Sequence, residues 1–256
     1  MKKGESKISS ITHVNRNGYG VGAILNEQPL GKVPYSVTIP YTAPGDIINA
    51  VITGIDGLSV EAQLVSFMET SALRTEKPLC AYYGRCGGCQ IGHISTDNQT
   101  FIKRQMIDRL LCSETSSKTL FPAYDYFEGP WTHYRYRTQF SRNAEHKPCF
   151  MARASNTRIP VEYCPICAPA INTWLQNAAG QLAENPQIPE RFTLTANSAR
   201  VFVEGVDKHA EASILGKKIS YATDGFFQSN LELLPELILE AMEKAEGSKA
   251  LDLYSG

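Results

Sequence analysis

Three cysteines within ten residues, in the run CAYYGRCGGCQIGH, restrict what this chain can become more than any other feature. Cys80 is followed after five residues by Cys86, and Cys86 after two residues by Cys89. Cys-x-x-Cys puts two thiols on one tight turn, and Gly87 and Gly88 let the backbone fold around a ligand. Three thiolates need a fourth donor. Zinc completes a four-thiolate tetrahedron, and a cubane iron–sulfur cluster also takes four cysteines, so the spacing leaves both metals open. Cys164 and Cys167, in VEYCPIC, are the candidates for the fourth position, with His93 a further candidate for zinc. Cys112, in a helical stretch, and Cys149, in a strand-like one, read as buried thiols that pack like small apolar residues. The chain has seven cysteines and no export signal, which predicts reduced thiols, not disulfides.

The opening MKKGESKISS carries two lysines with no apolar stretch behind them, so it does not read as a signal peptide. No apolar run approaches the ~20 residues needed to span a bilayer. The expected compartment is the cytoplasm, with no membrane partner. The 256 residues have room for two or three small domains, and a hydrophobic fraction of 43% can fill their cores.

Residues 1–68 read as short strands. KISSITHV and AVITGI are rich in β-branched residues, and NGYGVG, APGD and DGLS are turn signals. About five strands in so short a span predict a β-barrel of the OB type. Residues 69–215 hold the cysteine run and then a helix over 96–113, with Ser95 or Thr96 able to cap it. Phe101, Ile102, Met106, Leu110 and Leu111 recur there at helical spacing. After that helix comes a mixed α+β pattern: YRYRTQFSR as strand, PAINTWLQNAAGQLA as helix, RFTLTANSARVFVEG as strand. Residues 216–256 begin extended in KKISYATDGFFQSN. A helix follows in LELLPELILEAMEKAEG, where Pro235 sits in the first turn or kinks the rod. The closing ALDLYSG reads as a hydrophobic strand running into a glycine, the way a doubly wound α/β domain begins. The predicted fold class is therefore multidomain α+β: an OB-like barrel, a central α+β domain, and the start of a doubly wound α/β domain.

Net charge is −1, but its distribution is uneven. Between Trp131 and Arg158 stand Arg135, Arg137, Arg142, Lys147, Arg153 and Arg158, against the single acid Glu145. Such a stretch reads as a phosphate-binding face or as a solvated surface strand.

Taken in order, these pieces resemble the bacterial RNA 5-methyluridine methyltransferases of the iron–sulfur, TRAM-containing type. NGYGVGAI and IPYTAPGDIINAVI resemble the TRAM domain, a small RNA-binding barrel. CAYYGRCGGCQIGHIS resembles the cluster motif, HYRYRTQFS the Tyr-Arg-x-Arg/Lys strand, and VEYCPICAPAIN the segment with the fourth cluster cysteine. GFFQSN resembles Phe-Phe-Gln-x-Asn, and LDLYSG the first half of the S-adenosylmethionine loop. Gly225 stands where a serine is common, Ser229 where a valine is, and Ser255 where a cysteine is.

The resemblance implies a 4Fe-4S cluster on Cys80, Cys86, Cys89 and Cys164, with a structural role. It implies S-adenosyl-L-methionine bound by Gln228 and Tyr254, with Asp252 supporting the loop. It places Arg137 and Phe226 on RNA, Phe226 packing against a flipped base and Phe227 in the core. It expects helix 96–113 to pack on the methyltransferase domain and the protein to be a monomer. The implied reaction methylates uracil carbon 5, most simply in 23S ribosomal RNA. A cysteine thiolate adds at carbon 6, carbon 5 takes the methyl group, and a carboxylate removes the carbon 5 proton. In the family the nucleophile and base lie beyond LDLYSG, so no catalytic residue is assigned in this chain and it is expected to be inactive alone.

Other classes remain. One is a non-catalytic RNA-binding module with a structural iron–sulfur or zinc site, another a zinc-ribbon RNA binder. A radical-type methylthiotransferase would carry Cys-x3-Cys-x2-Cys and its barrel at the other end of the chain. Here the first gap is five residues and the barrel comes first.

Overall fold

A computed structural model describes residues 1–25, 34–114, 124–243 and 246–249. The chain divides into two compact units: Met1–Tyr124 with Phe150–Ile159, and the remainder from Asp125–Cys149 and Pro160 onward. No helix among the described residues is long and apolar enough to cross a membrane.

The first unit opens with five strands: β1 (Ser6–Val14), β2 (Gly20–Ile24), β3 (Ser36–Ile39), β4 (Ile47–Asp56) and β5 (Ser59–Glu69). They close into a barrel of order β1-β2-β3-β5-β4, the barrel expected from the spacing of turn signals. All its pairings are antiparallel except β3 with β5. Alternation in the sequence becomes alternation of faces. In β4, Ile48, Ala50 and Ile52 point inward and join Ile11, Ile24, Val37, Ile39, Val60 and Ala62 in the barrel core. Fully burying an isoleucine side chain contributes roughly 1.5–3 kcal/mol. Gly22 is required by close packing, because a Cβ there would fall on the Ser10 carbonyl oxygen of the neighbouring strand.

Helix α1 (Thr96–Glu114) follows the cysteine run. Its first turn is tied down by the Asn98 amide donating to Ser95 Oγ (2.8 Å) and the Gln99 amide donating to the Ile94 carbonyl (3.0 Å). Ile102 enters a small core with Val14, Ala43 and Ile94, against which Met106 packs. Phe101 and Leu110, expected on the same apolar face, are 51% and 40% exposed. Cys112, expected to be buried, is exposed on this helix. Among the described side chains of α1 only Ile102 is buried.

Beyond Tyr124 come β6 (Arg137–Arg142), which pairs with β7 (Pro148–Met151), and β8 (Arg158–Pro160). The chain then forms α2 (Pro169–Gln176), α3 (Ala178–Glu184), β9 (Arg191–Ala196), β10 (Val201–Val203), a hairpin of β11 (His209–Ile214) with β12 (Lys217–Ala222), and α4 (Leu234–Met242). The sheet order is β10-β9-β6-β7-β8. Phe140 of β6 faces Phe192 of β9, their rings stacked 6.0 Å apart, and Trp174 of α2 lies 5.9 Å from the Phe192 ring. The single helix expected over PAINTWLQNAAGQLA is broken at Asn177. Its amide N–H bonds back to the Trp174 carbonyl and its side chain to the Thr173 carbonyl. A short polar side chain that competes for backbone groups in this way interrupts a helix. Pro235 lies in the first turn of α4, where its missing N–H costs nothing, so the helix is not kinked.

Candidate functional site

In the first unit, Cys80, Cys86 and Cys89 are half-buried on one loop. The loop turns tightly, with the Tyr83 N–H on the Cys80 carbonyl (3.1 Å) and the Cys86 N–H on the Tyr82 carbonyl (2.9 Å). The Gly88 N–H points at Cys86 Sγ, 3.4 Å away. The hairpin after Cys149 grips the loop. Gly87 N–H donates to the Met151 carbonyl (2.9 Å), and Cys86 bridges Ala152. A Cβ on Gly87 would stand 3.0 Å from the Arg153 backbone nitrogen, so a larger residue would press the hairpin away by a few tenths of an ångström.

Arg153 then passes between two tyrosines. Its guanidinium carbon lies 4.9 Å from the ring centres of both Tyr19 and Tyr41, and Nη2 donates to the Cys89 carbonyl (3.4 Å). Tyr41 donates its hydroxyl to the Gly84 carbonyl (3.2 Å) and meets Tyr83 edge-on. The Tyr83 hydroxyl stands 2.6 Å from His93 Nδ1, and His93 Nε2 stands 3.1 Å from the Thr42 carbonyl. A carbonyl only accepts, so Nε2 carries the proton and Nδ1 accepts from Tyr83. Burial, with Arg74 nearby, lowers the His93 pKa to about 4, so the ring is neutral. With both ring nitrogens engaged, His93 is a structural residue and not a spare zinc ligand.

The donor chemistry of the loop suits a thiolate-bound group. Among the described residues, however, no group of three or more His, Cys, Asp and Glu side chains is arranged to hold a metal ion.

Cys164 and Cys167 lie in the second unit, on a buried turn. Asn172 closes it. Its side-chain oxygen accepts from Cys164 N–H (2.8 Å), and its amide nitrogen donates to the carbonyls of Cys164 (3.0 Å) and Cys167 (3.1 Å). The Cys167 thiol hydrogen-bonds the Cys164 sulfur and, with backbone N–H groups, lowers the Cys164 pKa, while Cys167 itself is pushed up.

The second cluster of expected residues lies on one loop of the same unit. Residues 225–232 run beside 135–137. Arg137 Nη2 donates to the Gly225 carbonyl (2.6 Å), Tyr136 N–H to the Ser229 carbonyl (2.8 Å), and Arg135 bridges Asn230. The Tyr136 hydroxyl donates to Glu232 (2.7 Å), and burial together with that carboxylate pushes the phenol up to about 12. Along the loop the side chains diverge. Phe226 is 82% exposed. Phe227, expected in the core, is half-buried and stacks on Tyr221 at 3.8 Å with the rings 7° from parallel. Gln228 lines a cavity of about 310 Å³ whose walls include Tyr126, Phe127, Leu233 and Leu237 with Asp125 and Glu240. Tyr254 and Asp252 lie outside the described residues.

Arg137 and Arg153, read from charge as members of a basic stretch that is either a phosphate-binding face or a solvated strand, are half-buried and bonded to their own chain. What sequence reasoning missed is the tyrosine pair around Arg153 and the template that 135–137 provides for 225–232. The tyrosines of NGYG and IPYT were visible only as turn residues, since nothing local indicates a partner more than a hundred positions away.

No family model matches the chain. It is 28% identical over 235 residues to an uncharacterized RNA methyltransferase of Treponema denticola, a match covering 86% of this chain and 57% of that one. It is 30% identical over 167 residues to a 23S rRNA (uracil(1939)-C(5))-methyltransferase of Shewanella denitrificans, covering 62% of this chain and 34% of the relative. The chain thus spans between a third and a little over half of these relatives. Its fold is shared with the crystal structure of the Pyrococcus abyssi tRNA (uracil-54, C5)-methyltransferase in complex with S-adenosyl-L-homocysteine. The TM-score is 0.70 at 15% identity, over 97% of this chain and 68% of that one.

Proposed function

We propose that this chain is part of an S-adenosylmethionine-dependent RNA (uracil-C5) methyltransferase, acting most simply on 23S ribosomal RNA. The observation that carries the reading is the loop Gly225–Asn230. It exposes Phe226 and turns Gln228 toward a cavity, in a chain whose relatives are named RNA methyltransferases. S-adenosylmethionine supplies the methyl group when bound. Gln228, with Tyr254, would orient it through hydrogen bonds and pocket walls, and Phe127, Leu233 and Leu237 supply an apolar lining. Phe226 offers an open aromatic face to an unstacked base. Arg137 lies on the strand beneath it and supports the RNA side. Neither the attacking thiolate nor the base of uracil-C5 chemistry is assigned to a residue here.

We further propose that residues 1–68 act as a TRAM-type RNA-binding barrel, 69–215 as the central domain and 216–256 as the beginning of the methyltransferase domain, with helix 96–113 packed on the last. The cytoplasm is the proposed compartment and a monomer the proposed state. Cys80, Cys86, Cys89 and Cys164 are the proposed ligands of a 4Fe-4S cluster, which would serve as a structural staple. Support comes from the thiol spacing, the N–H aimed at Cys86 Sγ and the buried turn that holds Cys164. Anaerobic purification should give a brown protein containing iron, lost in Cys164→Ala and kept in Cys167→Ala. Stoichiometric zinc without iron would overturn the cluster.

For the function itself, binding of a ribosomal RNA fragment by this chain should weaken steeply as salt rises, because phosphate contacts release counterions. S-adenosyl-L-homocysteine should bind and be weakened by Gln228→Ala. A chain that binds neither would overturn the reading.

A further inference from the structure

Arg137 was expected on RNA because it is a cation in a basic stretch. Its surroundings give it a different task. One arm of the guanidinium is committed at 2.6 Å to the carbonyl of Gly225, the residue immediately before Phe226. Its Nε is buried and has no hydrogen-bond partner, so this nitrogen faces the protein and not the solvent. Its charge is felt by Tyr221, the ring on which Phe227 stacks. Gly225 N–H in turn closes on the Ala222 carbonyl (3.1 Å), so both polar groups of Gly225 are fixed. From that anchor three consecutive side chains take different directions: Phe226 outward, Phe227 onto Tyr221, Gln228 to the cavity wall. Further along, Tyr136 and Arg135 hold Ser229 and Asn230. The backbone near Ser229 therefore has strand support, whereas the carbonyl just before Phe226 is held by one side-chain donor.

We infer that Arg137 is a positioning residue: it serves single-stranded RNA through the Gly225 carbonyl, by holding Phe226 in its outward pose, and not by touching a phosphate. The inference rests on the RNA reading above and sharpens what the strand under the loop contributes to it. A guanidinium suits the task because it is always charged and its hydrogen bond to a carbonyl is charge-assisted. The cost of losing it should appear at Phe226.

Two measurements test this. The first uses the chain without RNA. In Arg137→Gln, amide exchange of Gly225 should rise about tenfold as the loop opens locally, while amides of β9 stay protected. Arg137→Lys keeps a donor and should recover most of the protection. Unchanged exchange at Gly225 would overturn the inference, and β9 protection shows that the variant has folded. The second uses a fluorescent single-stranded RNA oligonucleotide. Phe226→Ala and Arg137→Gln should each weaken binding about tenfold, the scale of one lost base–aromatic stack. The double variant should be no more than about twofold weaker than either, because the two losses are one loss. The salt slope should not change. An additive loss of about a hundredfold, with a slope reduced by about one in Arg137→Gln, would make Arg137 a direct phosphate ligand and overturn the inference. If the unaltered chain binds no RNA, the functional reading falls, and the exchange experiment alone decides whether Arg137 holds the loop.

Discussion

The cysteine loop of the first unit and the Gly225–Glu232 loop of the second are both irregular segments rich in aromatic residues, and they are held in opposite ways. Around the cysteines the chain closes from several sides: the hairpin at Met151–Arg153, the tyrosines at 19 and 41, and the buried His93. Tyr41 even adopts a left-handed backbone (φ 64°), a conformation that costs roughly 1–3 kcal/mol and persists where neighbours over-determine it. The second loop is templated along 135–137 and is open elsewhere. Phe226 is 82% exposed, and α4 beyond it has no buried residue among those described. The difference separates a scaffold from a working surface. The cysteine loop is fixed by contacts with its own chain, whereas the Phe226 loop leaves its aromatic face exposed, which the proposed function assigns to RNA.

That contrast can be broken most severely at Asp46, which anchors the ground on which the cysteine loop sits. Its carboxylate is fully buried and accepts from Ala43 N–H (2.6 Å), Ser71 N–H (2.8 Å) and Arg74 Nη1 (2.8 Å). Asp46→Ala leaves two amides and a largely buried guanidinium without their partner. We expect a loss of about 3–5 kcal/mol, the scale of one member removed from a buried pair, read as a lower urea midpoint. A loss below about 1 kcal/mol would mean that the barrel edge does not depend on this carboxylate.

His93 should make the same region acid-sensitive. Its folded pKa, about 4, lies below the ordinary 6.5 because burial disfavours the imidazolium. The unfolded chain then binds the proton more readily between pH 6.5 and 4, so stability is fully present above 6.5 and falls as the pH drops through this window. The loss should reach about 3 kcal/mol at pH 4, at 1.36 kcal/mol per unit. His93→Gln, which has an N–H for the Thr42 carbonyl, should flatten the dependence, and an equally steep acid limb in that variant would exclude His93 as its source. A smaller effect is expected at the tyrosine clamp. Arg153→Met removes two cation–π contacts and the bond to Cys89, costing about 1–2 kcal/mol. Gly87 amide exchange should accelerate, and exchange at the wild-type rate would show that the hairpin alone holds the loop.

The same contrast explains what could be read in advance. The barrel was legible because its information is local: alternating Ile and Val with Gly, Asn and Asp between them specify strands and turns. The cysteine run was legible as a loop for the same reason, and Gln228 and Phe226 as a pair on one short motif. What could not be read is long-range. Nothing near Arg153 announces Tyr19 and Tyr41, and nothing near Arg137 announces Gly225. Charge counted along the sequence treated both as surface cations, whereas folding turned each into a tether. The β11–β12 hairpin, whose Tyr221 supports Phe227, was half-missed because AEASI lacks the β-branched density of the other strands. The same blindness misplaced Phe101 and Cys112, since helical spacing marks an apolar stripe without saying how much of it finds a partner.

The smallest effect on the fold should come from Phe226, and that smallness is informative. A ring 82% exposed has little burial to lose, so Phe226→Ala should change stability by no more than about 0.5 kcal/mol. An exposed phenylalanine kept only by its neighbours would leave function equally unmoved. On the reading advanced here it is an aromatic face held ready by Gly225 and Arg137, so the same substitution should weaken single-stranded RNA binding about tenfold. Phe226→Trp, with a larger stacking surface, should preserve or strengthen it. Phe227→Ala should do the reverse of Phe226→Ala. It removes the ring stacked at 3.8 Å on Tyr221, so it should lower the melting temperature first and affect RNA only through the loosened loop. Denaturation and RNA titration on the two alanine variants therefore separate adjacent phenylalanines into one that faces outward and one that holds the loop. If both variants lost stability and neither lost affinity, the loop would be an extension of the core, and the contrast with the cysteine loop would disappear.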